Sequence, residues 1–246
     1  MPLPLIYHDD YSPEFPAEHR FPMDKFRLLR DHLVQSGLTR DADLLRPELC
    51  PVDILALAHD RAYIERYMAG ELAREDQRRL GLPWSEALAR RTIRAVGGSL
   101  LAAEQALEHG LACHLAGGTH HAHYDHPAGF CIFNDLAVIS RYLLESGRVN
   151  RVLIFDCDVH QGDGTARILE HTPDAITVSL HCEKNFPARH ARHKATGTLA
   201  CPWAWGIPNI CKWWMTRSIT CWRCISPIWC CTTPVSMCTR TMPWAI

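Results

Sequence analysis

Acidic residues are absent from the last part of this 246-residue chain. All 27 Asp and Glu residues lie at or before Glu183, although charged residues make up about a quarter of an ordinary domain. The same end of the chain holds seven of the 12 Cys and seven of the eight Trp. The composition therefore changes between Phe186 and Lys194. We expect residues 1–193 to belong to a folded domain and residues 194–246 not to fold as part of it.

Three further absences narrow the class of protein. No run of eighteen or more apolar residues occurs, which excludes an ordinary membrane-spanning helix. The opening MPLPLIYHDDYSPEF has no basic region before its few apolar residues, unlike a secretory signal peptide. The net charge is −1, so no positive excess is available to attract nucleic acid or an anionic membrane. We expect a cytoplasmic protein with neither of these partners.

The pattern of apolar residues predicts alternating helices and strands. Spacings of three and four are typical of amphipathic helices, and short apolar runs rich in Val and Ile are typical of strands. Strands that are apolar throughout indicate a parallel sheet covered on both faces, and therefore a layered α/β fold. The predicted helices are 24–36, 60–80, 84–108 and 134–146, and the predicted strands are 149–155 and 175–181.

The segment LIFDCDVHQGDG (153–164) carries the first group of chemically active residues. If the strand continues through it, Asp156, Asp158 and His160 share one face, because alternate side chains of a strand point the same way. In parallel sheets, sites gather at the carboxyl ends of strands. Carboxylates and an imidazole suit Zn²⁺, which would relieve the repulsion between the two carboxylates. The alternative is structural, with Asp156 capping a turn and His160 partly buried, but the three residues together favour the metal.

A second group lies in GGTHHAHYDHPAGFCIFND (117–135). His120 and His121 stand in tandem on a predicted loop, and a histidine pair beside a metal-bound water can act as general base and general acid. Each ring needs a carboxylate that fixes its tautomer, and Asp156 and Asp163 are the candidates. The alternative interpretation is a cluster of surface histidines.

Together the two segments resemble the histone deacetylase family, including its bacterial acetoin-utilisation-like members. The resemblance covers roughly residues 5–190 and is also carried by HRFPMDKF (19–26) and VSLHCEKNFPAR (178–189). It implies an arginase/deacetylase-like, three-layer α/β/α fold with a mostly parallel sheet that is incomplete at the C-terminus.

The resemblance also implies roles for residues at matching positions. It implies that the catalytic residues are His120, His121, Asp156 and Asp163, and that two of the three zinc ligands are Asp158 and His160. It implies that the walls of an acyl-lysine tunnel are Gly129, Phe130 and Phe186. It also implies a site for a structural K⁺ formed by Asp156, Asp158, His160, Ser179 and Leu180.

The activity that this resemblance implies is zinc-dependent hydrolysis of acetyl-lysine in a peptide or protein, or of a small N-acetylated amine. Zinc would polarise the carbonyl and lower the pKa of its bound water, while a histidine accepts the proton. Zinc and a Tyr hydroxyl would hold the oxyanion. Two alternatives stay open: a non-catalytic relative that binds acylated ligands, and an arginase-like amidino hydrolase, which needs more Asp/His motifs than the single DxDxH seen here.

The third zinc ligand and the Tyr-containing loop of that family do not appear after residue 190, and the genetic code suggests a reason. Trp213–Trp214–Met215–Thr216 must be encoded by TGG TGG ATG ACN, which forces Val-Asp-Asp when it is read one nucleotide earlier. With permissive third bases, residues 228–246 then read LVLYDAGVDVHKDDALGY, which resembles the third-ligand strand of the family.

We therefore expect residues 194–246 to be deacetylase gene sequence read out of frame, with Ser236 and Met237 across the third-ligand codon. On this hypothesis the tail does not fold natively, the end of the chain removes the Tyr loop, and the chain as written is inactive. The rival interpretation is a separate zinc module built from Cys221, Cys224, Cys230 and Cys231.

Overall fold

The computed structural model of the chain describes residues 3–187, 197–201 and 229–232. Strands in these ranges form a two-stranded and a four-stranded sheet, and all of their pairings are parallel. The strands are β1 (Leu5–Ile6), β2 (Cys113–His114), β3 (Val152–Asp156), β4 (Ala175–Cys182), β5 (Gly197–Cys201) and β6 (Trp229–Thr232). The helices are α1 (Lys25–Gln35), α2 (Val52–Leu55), α3 (Arg61–Met68), α4 (Arg74–Leu80), α5 (Glu86–His109), α6 (Asp135–Glu145) and α7 (Asp163–Ile168), with short 3₁₀ turns at Asp9–Tyr11 and Asp41–Asp43.

The parallel pairing of β3 with β4 positions the site. The larger sheet has the order β5-β4-β3-β6. Val152 pairs with Ala175 and Asp156 with Ser179, so the carboxyl ends of β3 and β4 lie side by side. On the other side of β3, the backbone of Thr232 in β6 lies opposite Asp156. Strands β3 and β4 are therefore central in the described sheet, as their continuously apolar sequences predict.

The predicted helices are present, with one division. Helices α1, α5 and α6 begin and end within two residues of their predicted bounds. The prediction of one helix over 60–80 is wrong, because Gly70 has a φ of 75° and this left-handed conformation ends a helix. The chain therefore forms α3 and α4 separately. In the described ranges, no helix is both long and apolar enough to span a lipid bilayer.

Two adjacent glycines let α5 approach its neighbours closely. A Cβ atom on Gly97 would lie 2.1 Å from the carbonyl oxygen of Glu48. One on Gly98 would lie 2.1 Å from the Tyr11 hydroxyl and 2.3 Å from Nε2 of His114. The helix therefore tolerates two residues that each cost about 1 kcal/mol relative to Ala, because only glycine fits.

The core is built largely on aromatic rings. Tyr63, Tyr67 and Phe133 are fully buried. The two tyrosines meet Phe133 edge to face, at centroid distances of 5.6 and 5.5 Å. The Tyr63 hydroxyl donates to the carbonyl of Ile132 at 2.7 Å. Burial of each such ring stabilises the fold by roughly 1.5–3 kcal/mol, and this packing fixes α3 against the segment that leads into α6.

Beyond residue 193 the structure describes only the backbones of β5 and β6, which pair with β4 and β3. The remainder of 194–246 lies outside the described residues. The expectation that this tail does not fold natively therefore stays a prediction, as does its out-of-frame origin.

Candidate active site

The DCDVH segment departs from the strand at Asp156. Because β3 ends there, the prediction that a continuing strand aligns Asp156, Asp158 and His160 is wrong. Two successive turns gather them instead. The Asp158 N–H donates to Oδ1 of Asp156 at 2.9 Å, and the His160 N–H donates to Oδ1 of Asp158 at 2.8 Å. Such bonds to the backbone are the usual way in which Asp stabilises turns.

Two histidine–carboxylate pairs lie beside this turn. Nδ1 of His120 is 2.6 Å from Oδ2 of Asp156, and Nδ1 of His121 is 2.6 Å from Oδ1 of Asp163. All four residues are at most 5% exposed, and the two imidazole centroids are 4.1 Å apart. An ionised carboxylate only accepts hydrogen bonds, so each histidine donates from Nδ1. The structure thus places the four proposed catalytic residues together as two pairs.

The surroundings of the two histidines favour different charges. Burial lowers the pKa of His120, but the charge of Asp156, the hydrogen bond to it and the other nearby carboxylates outweigh burial and raise the pKa to about 9. At His121, burial and the positive charge of His120 lower the pKa to about 4. Neighbouring titratable groups whose pKa values are pushed apart are typical of an acid and a base.

The His121 ring packs against Phe186. With Nδ1 donating to Asp163, the neutral ring carries its lone pair on Nε2, and this nitrogen has no hydrogen-bond partner among the described residues. The Phe186 ring stands 4.7 Å from the His121 ring at 89° and is 44% exposed. Gly129 has a φ of 53°, and a Cβ atom there would lie 2.7 Å from Cδ2 of His121. Two of the three proposed tunnel residues therefore border His121.

The third proposed tunnel residue, Phe130, directs its ring elsewhere. Its centroid lies 5.4 Å from that of Phe21 and 5.9 Å from that of His19. The Arg20 guanidinium sits 4.7 Å over its face. The structure therefore packs Phe130 against the 19–26 segment rather than against Phe186.

Ser179 and Leu180, assigned by resemblance to a K⁺ site, are buried residues of β4. Ser179 pairs with Asp156 across the sheet, and its hydroxyl lies 2.9 Å from Nδ1 of His181. The residues assigned to K⁺ thus cluster at the ends of β3 and β4 and in the turn after β3, while K⁺ binding itself stays a prediction.

Asp158 and His160 offer a zinc ion suitable atoms but too few of them. Oδ1 of Asp158 lies 2.8 Å from Nδ1 of His160, and an oxygen and a nitrogen donor suit zinc. Within the part of the chain that the structure describes, no group of three or more His, Cys, Asp or Glu side chains is placed to hold a metal. Catalytic zinc sites use three protein ligands, so the described residues match zinc in chemistry and not in number.

Asn134 and Thr165 join the two segments that carry the site. The Asn134 side-chain amide donates to the carbonyl of Ala122 at 3.1 Å and to Oγ1 of Thr165 at 3.0 Å. The Thr165 N–H donates to the carbonyl of His120 at 3.0 Å. Gly164 permits this approach, since a Cβ atom there would lie 2.3 Å from the Ala122 oxygen. Helix α7, which begins at Asp163, is therefore hydrogen-bonded to the loop that carries His120, His121 and Ala122, here called the histidine loop.

Two residues of this region were missed in the sequence. Nε2 of His123 lies 3.2 Å from Oδ2 of Asp163, so Asp163 serves two histidines. Asp135 accepts hydrogen bonds from the backbone N–H groups of residues 118 and 119. The available signals were the HHAH run and the Asn-Asp pair that opens the predicted helix 134–146, a position where Asx side chains bond to the backbone.

Comparison with known proteins supports the class that the fold and site indicate. The family model of the histone deacetylase domain matches residues 19–208. An uncharacterized protein of Picosynechococcus sp. is 49% identical over 192 residues, which are 78% of this chain and 64% of that protein. The acetoin utilization protein AcuC of Bacillus subtilis is 34% identical over 189 residues, which are 72% of this chain and 48% of AcuC. A crystal structure of an HDAC homolog complexed with SAHA superimposes with a TM-score of 0.68 at 25% identity, covering 83% of this chain and 60% of that one.

The chain belongs to the histone deacetylase domain family, because the family model spans well over half of its length. The predicted arginase/deacetylase-type fold is confirmed by its structural neighbours. The chain spans 64% of its Picosynechococcus relative and 48% of the Bacillus subtilis AcuC protein.

Proposed function

We propose that this chain derives from a zinc-dependent deacetylase that hydrolyses acetyl-lysine, in a peptide or protein, or a similar small N-acyl amine. The observation that carries the proposal is the pair of buried His–Asp contacts, with Nε2 of His121 directed away from its carboxylate beside Phe186. Membership of the deacetylase family supports the choice of an amide as substrate.

The chain's own residues would divide the proton transfers. Neutral His121 would accept at Nε2 a proton from the water that attacks the amide carbonyl, while Asp163 holds its Nδ1–H and its orientation. His120, kept cationic by Asp156, would donate a proton to the departing amine. Phe186 would flank the acyl-lysine side chain at the entrance.

Zinc would be held by Asp158 and His160 and by a third, acidic ligand that the sequence as given does not supply, since no Asp or Glu follows Glu183. In the chain as given, the last residue of β6, Thr232, lies opposite Asp156, and Ser236 and Met237 follow along the chain. We propose that the chain as given holds zinc weakly and turns over poorly.

The test compares two proteins after the gene has been sequenced across codons 186–194 in an independent isolate. One is the chain as given, and the other carries a single nucleotide that restores the frame in this interval. We expect stoichiometric zinc and hydrolysis of an acetyl-lysine peptide only in the frame-restored protein. There, His121→Ala should lower kcat by about 10²–10⁴-fold, the usual contribution of a general base.

Two results would overturn parts of the proposal. Stoichiometric zinc and full turnover in the chain as given would refute the account of the tail. A frame-restored, zinc-loaded protein that hydrolyses no N-acyl amine would refute the deacetylase assignment.

A non-catalytic receptor for acylated ligands is the second candidate. It is favoured by the exposed ring of Phe186 beside a metal site that is incomplete among the described residues. Saturable binding of an acetyl-lysine peptide without turnover, in the frame-restored protein, would select this candidate.

A further inference from the structure

A second polar network lies behind the histidine loop and shares no residue with the two His–Asp pairs. The Tyr11 hydroxyl lies 2.7 Å from Nε2 of His114. Nδ1 of the same ring lies 2.9 Å from the Ser99 hydroxyl. That hydroxyl lies 2.6 Å from Oδ2 of Asp135. Tyr11, Ser99 and Asp135 are at most 6% exposed, so the network runs through the interior.

The carboxylate at its end and the neutral His114 ring together fix the direction of the hydrogen bonds in this network. Because a carboxylate only accepts, the Ser99 hydroxyl donates its single proton to Asp135 and accepts from the Nδ1–H of His114. Burial lowers the pKa of His114 to about 4, so the ring is neutral and its Nε2 accepts. The Tyr11 hydroxyl must therefore donate to His114. The donors all point along one path toward Asp135.

Asp135 in turn accepts hydrogen bonds from the backbone directly before the histidine pair. Its Oδ2 accepts the N–H of Gly118 at 3.0 Å, and its Oδ1 accepts the N–H of Thr119 at 2.8 Å. The Thr119 hydroxyl is 2.7 Å from the same Oδ1. The chain curls so tightly here that a Cβ atom on Gly117, whose φ is 89°, would lie 2.6 Å from Oδ2. His120 directly follows Thr119 in the chain.

We propose that Asp135 is a positioning residue for the His120–His121 pair, and that Tyr11, His114 and Ser99 form a one-way series of donors that orients its carboxylate. The loop of 117–119 is then held by Asp135, while Asp156 at the end of β3 and Asp163 at the start of α7 hold the two rings. The consequence for catalysis rests on the proposed deacetylase function, whereas the positioning itself does not.

Hydrogen exchange of individual amides in the chain as given tests the grip on the loop. In Asp135→Asn the amide side chain keeps its size but has a single acceptor oxygen, so it cannot accept at both positions. We expect the amides of Gly118 and Thr119 to exchange about tenfold faster or more, with the β3 amides unchanged. Asp60→Asn is the matched control, because Asp60 accepts one backbone N–H, that of Tyr63 at 2.9 Å, and Asn caps a helix equally well.

A second pair of variants tests the series of donors and does not depend on Asp135→Asn folding. Ser99→Ala removes the acceptor for His114, whereas Ser140→Ala removes a buried helical hydroxyl whose one hydrogen bond to a described residue is to the carbonyl of Leu136, at 2.7 Å. The ring ¹⁵N signals of His114 should show a protonated Nδ1 and a bare Nε2 in the parent. Ser99→Ala should shift them and speed exchange at residues 118 and 119, and Ser140→Ala should do neither.

Three results would overturn the proposal: parental exchange rates at 118 and 119 in Asp135→Asn, a His114 ring protonated on Nε2, or equal effects of Ser99→Ala and Ser140→Ala. In the frame-restored protein, Asp135→Asn should lower kcat at least about tenfold with KM unchanged. If that protein has no deacetylase activity, the proposed function fails while the exchange and ¹⁵N results still decide the positioning role.

Discussion

Replacing Gly98 by Ala should destabilise the protein, although alanine is the better helix former. Gly98 lies in the middle of α5, where the substitution alone would contribute about 1 kcal/mol of helix stability. The structure opposes this gain, since the new methyl group would lie 2.1 Å from the Tyr11 hydroxyl and 2.3 Å from Nε2 of His114. One ring or the helix has to move.

Two costs follow from that movement. Overpacking of a core costs about 1–3 kcal/mol. Separation of Tyr11 from His114 leaves a buried hydroxyl without its partner, which costs about 1–3 kcal/mol more. Set against the helix gain, the expected net loss in the free energy of unfolding is about 3 kcal/mol. For a domain of this size, that loss lowers the midpoint of thermal unfolding by about 6–12 °C.

Urea and thermal unfolding followed by circular dichroism measure this loss. Gly147→Ala is the control for backbone strain alone, because its φ is 68° and nothing lies within 4 Å of the new methyl group. It should lose about 1–2 kcal/mol. Adding Tyr11→Phe to Gly98→Ala removes the nearest clashing atom and should recover part of the stability. The reasoning is refuted if Gly98→Ala is as stable as the parent, or if the double variant recovers nothing.

Other substitutions test neighbouring parts of the account. Burial lowers the pKa of His59 to about 4 from 6.5, so the unfolded chain takes up the proton first, and stability present above pH 6.5 is lost as the pH falls toward 4. Between pH 7 and pH 5 the loss in the free energy of unfolding is about 2 kcal/mol. In urea titrations His59→Gln, whose amide oxygen can still accept the Asn134 N–H, should not show this loss. Equal losses in both proteins would contradict this. In the frame-restored protein, Gly129→Ala should lower kcat at least about tenfold by displacing His121, and an unchanged kcat would show that the ring tolerates the methyl group. Phe186→Ala should raise KM for an acetyl-lysine peptide with little change in unfolding midpoint, because the ring is 44% exposed; an unchanged KM would remove Phe186 from the substrate path.

Local signals in the sequence were sufficient for helices α1, α5 and α6 and for the two central strands. Ser85 and Gly110 mark the ends of α5 as an N-cap and a left-handed C-cap, and both are visible in the sequence. The division at Gly70 was missed because the apolar spacing continues across it, while its positive φ depends on packing. The end of β3 at Asp156 was missed for a similar reason, since DxDxH alternates like a strand although its Asp side chains bond the backbone into turns.

The candidate site could be predicted only where its members are close in sequence or carry a recognisable motif. His120, His121 and the DCDVHQGDG segment satisfy that condition. The network behind them does not, because Tyr11 and His114 are 103 residues apart and meet only after β1 pairs with β2 and α5 crosses them. No spacing rule connects such residues. The rotation of Phe130 toward Phe21 is likewise a result of packing, which a motif match does not contain.

The cross-bonds of Asn134 and Thr165 have a mechanical consequence. They join the histidine loop to the start of α7, so we expect His121 and Asp163 to move together as one block. His120 belongs to the same block, but its partner Asp156 belongs to β3, so this second contact crosses a seam between block and sheet. A small displacement of the helices relative to the sheet would therefore leave the hydrogen bond of the proposed base, His121, unchanged. It would lengthen the hydrogen bond of the proposed acid, His120. The two pairs have the same hydrogen-bond length, but only the His120–Asp156 distance should change when the helices move relative to the sheet.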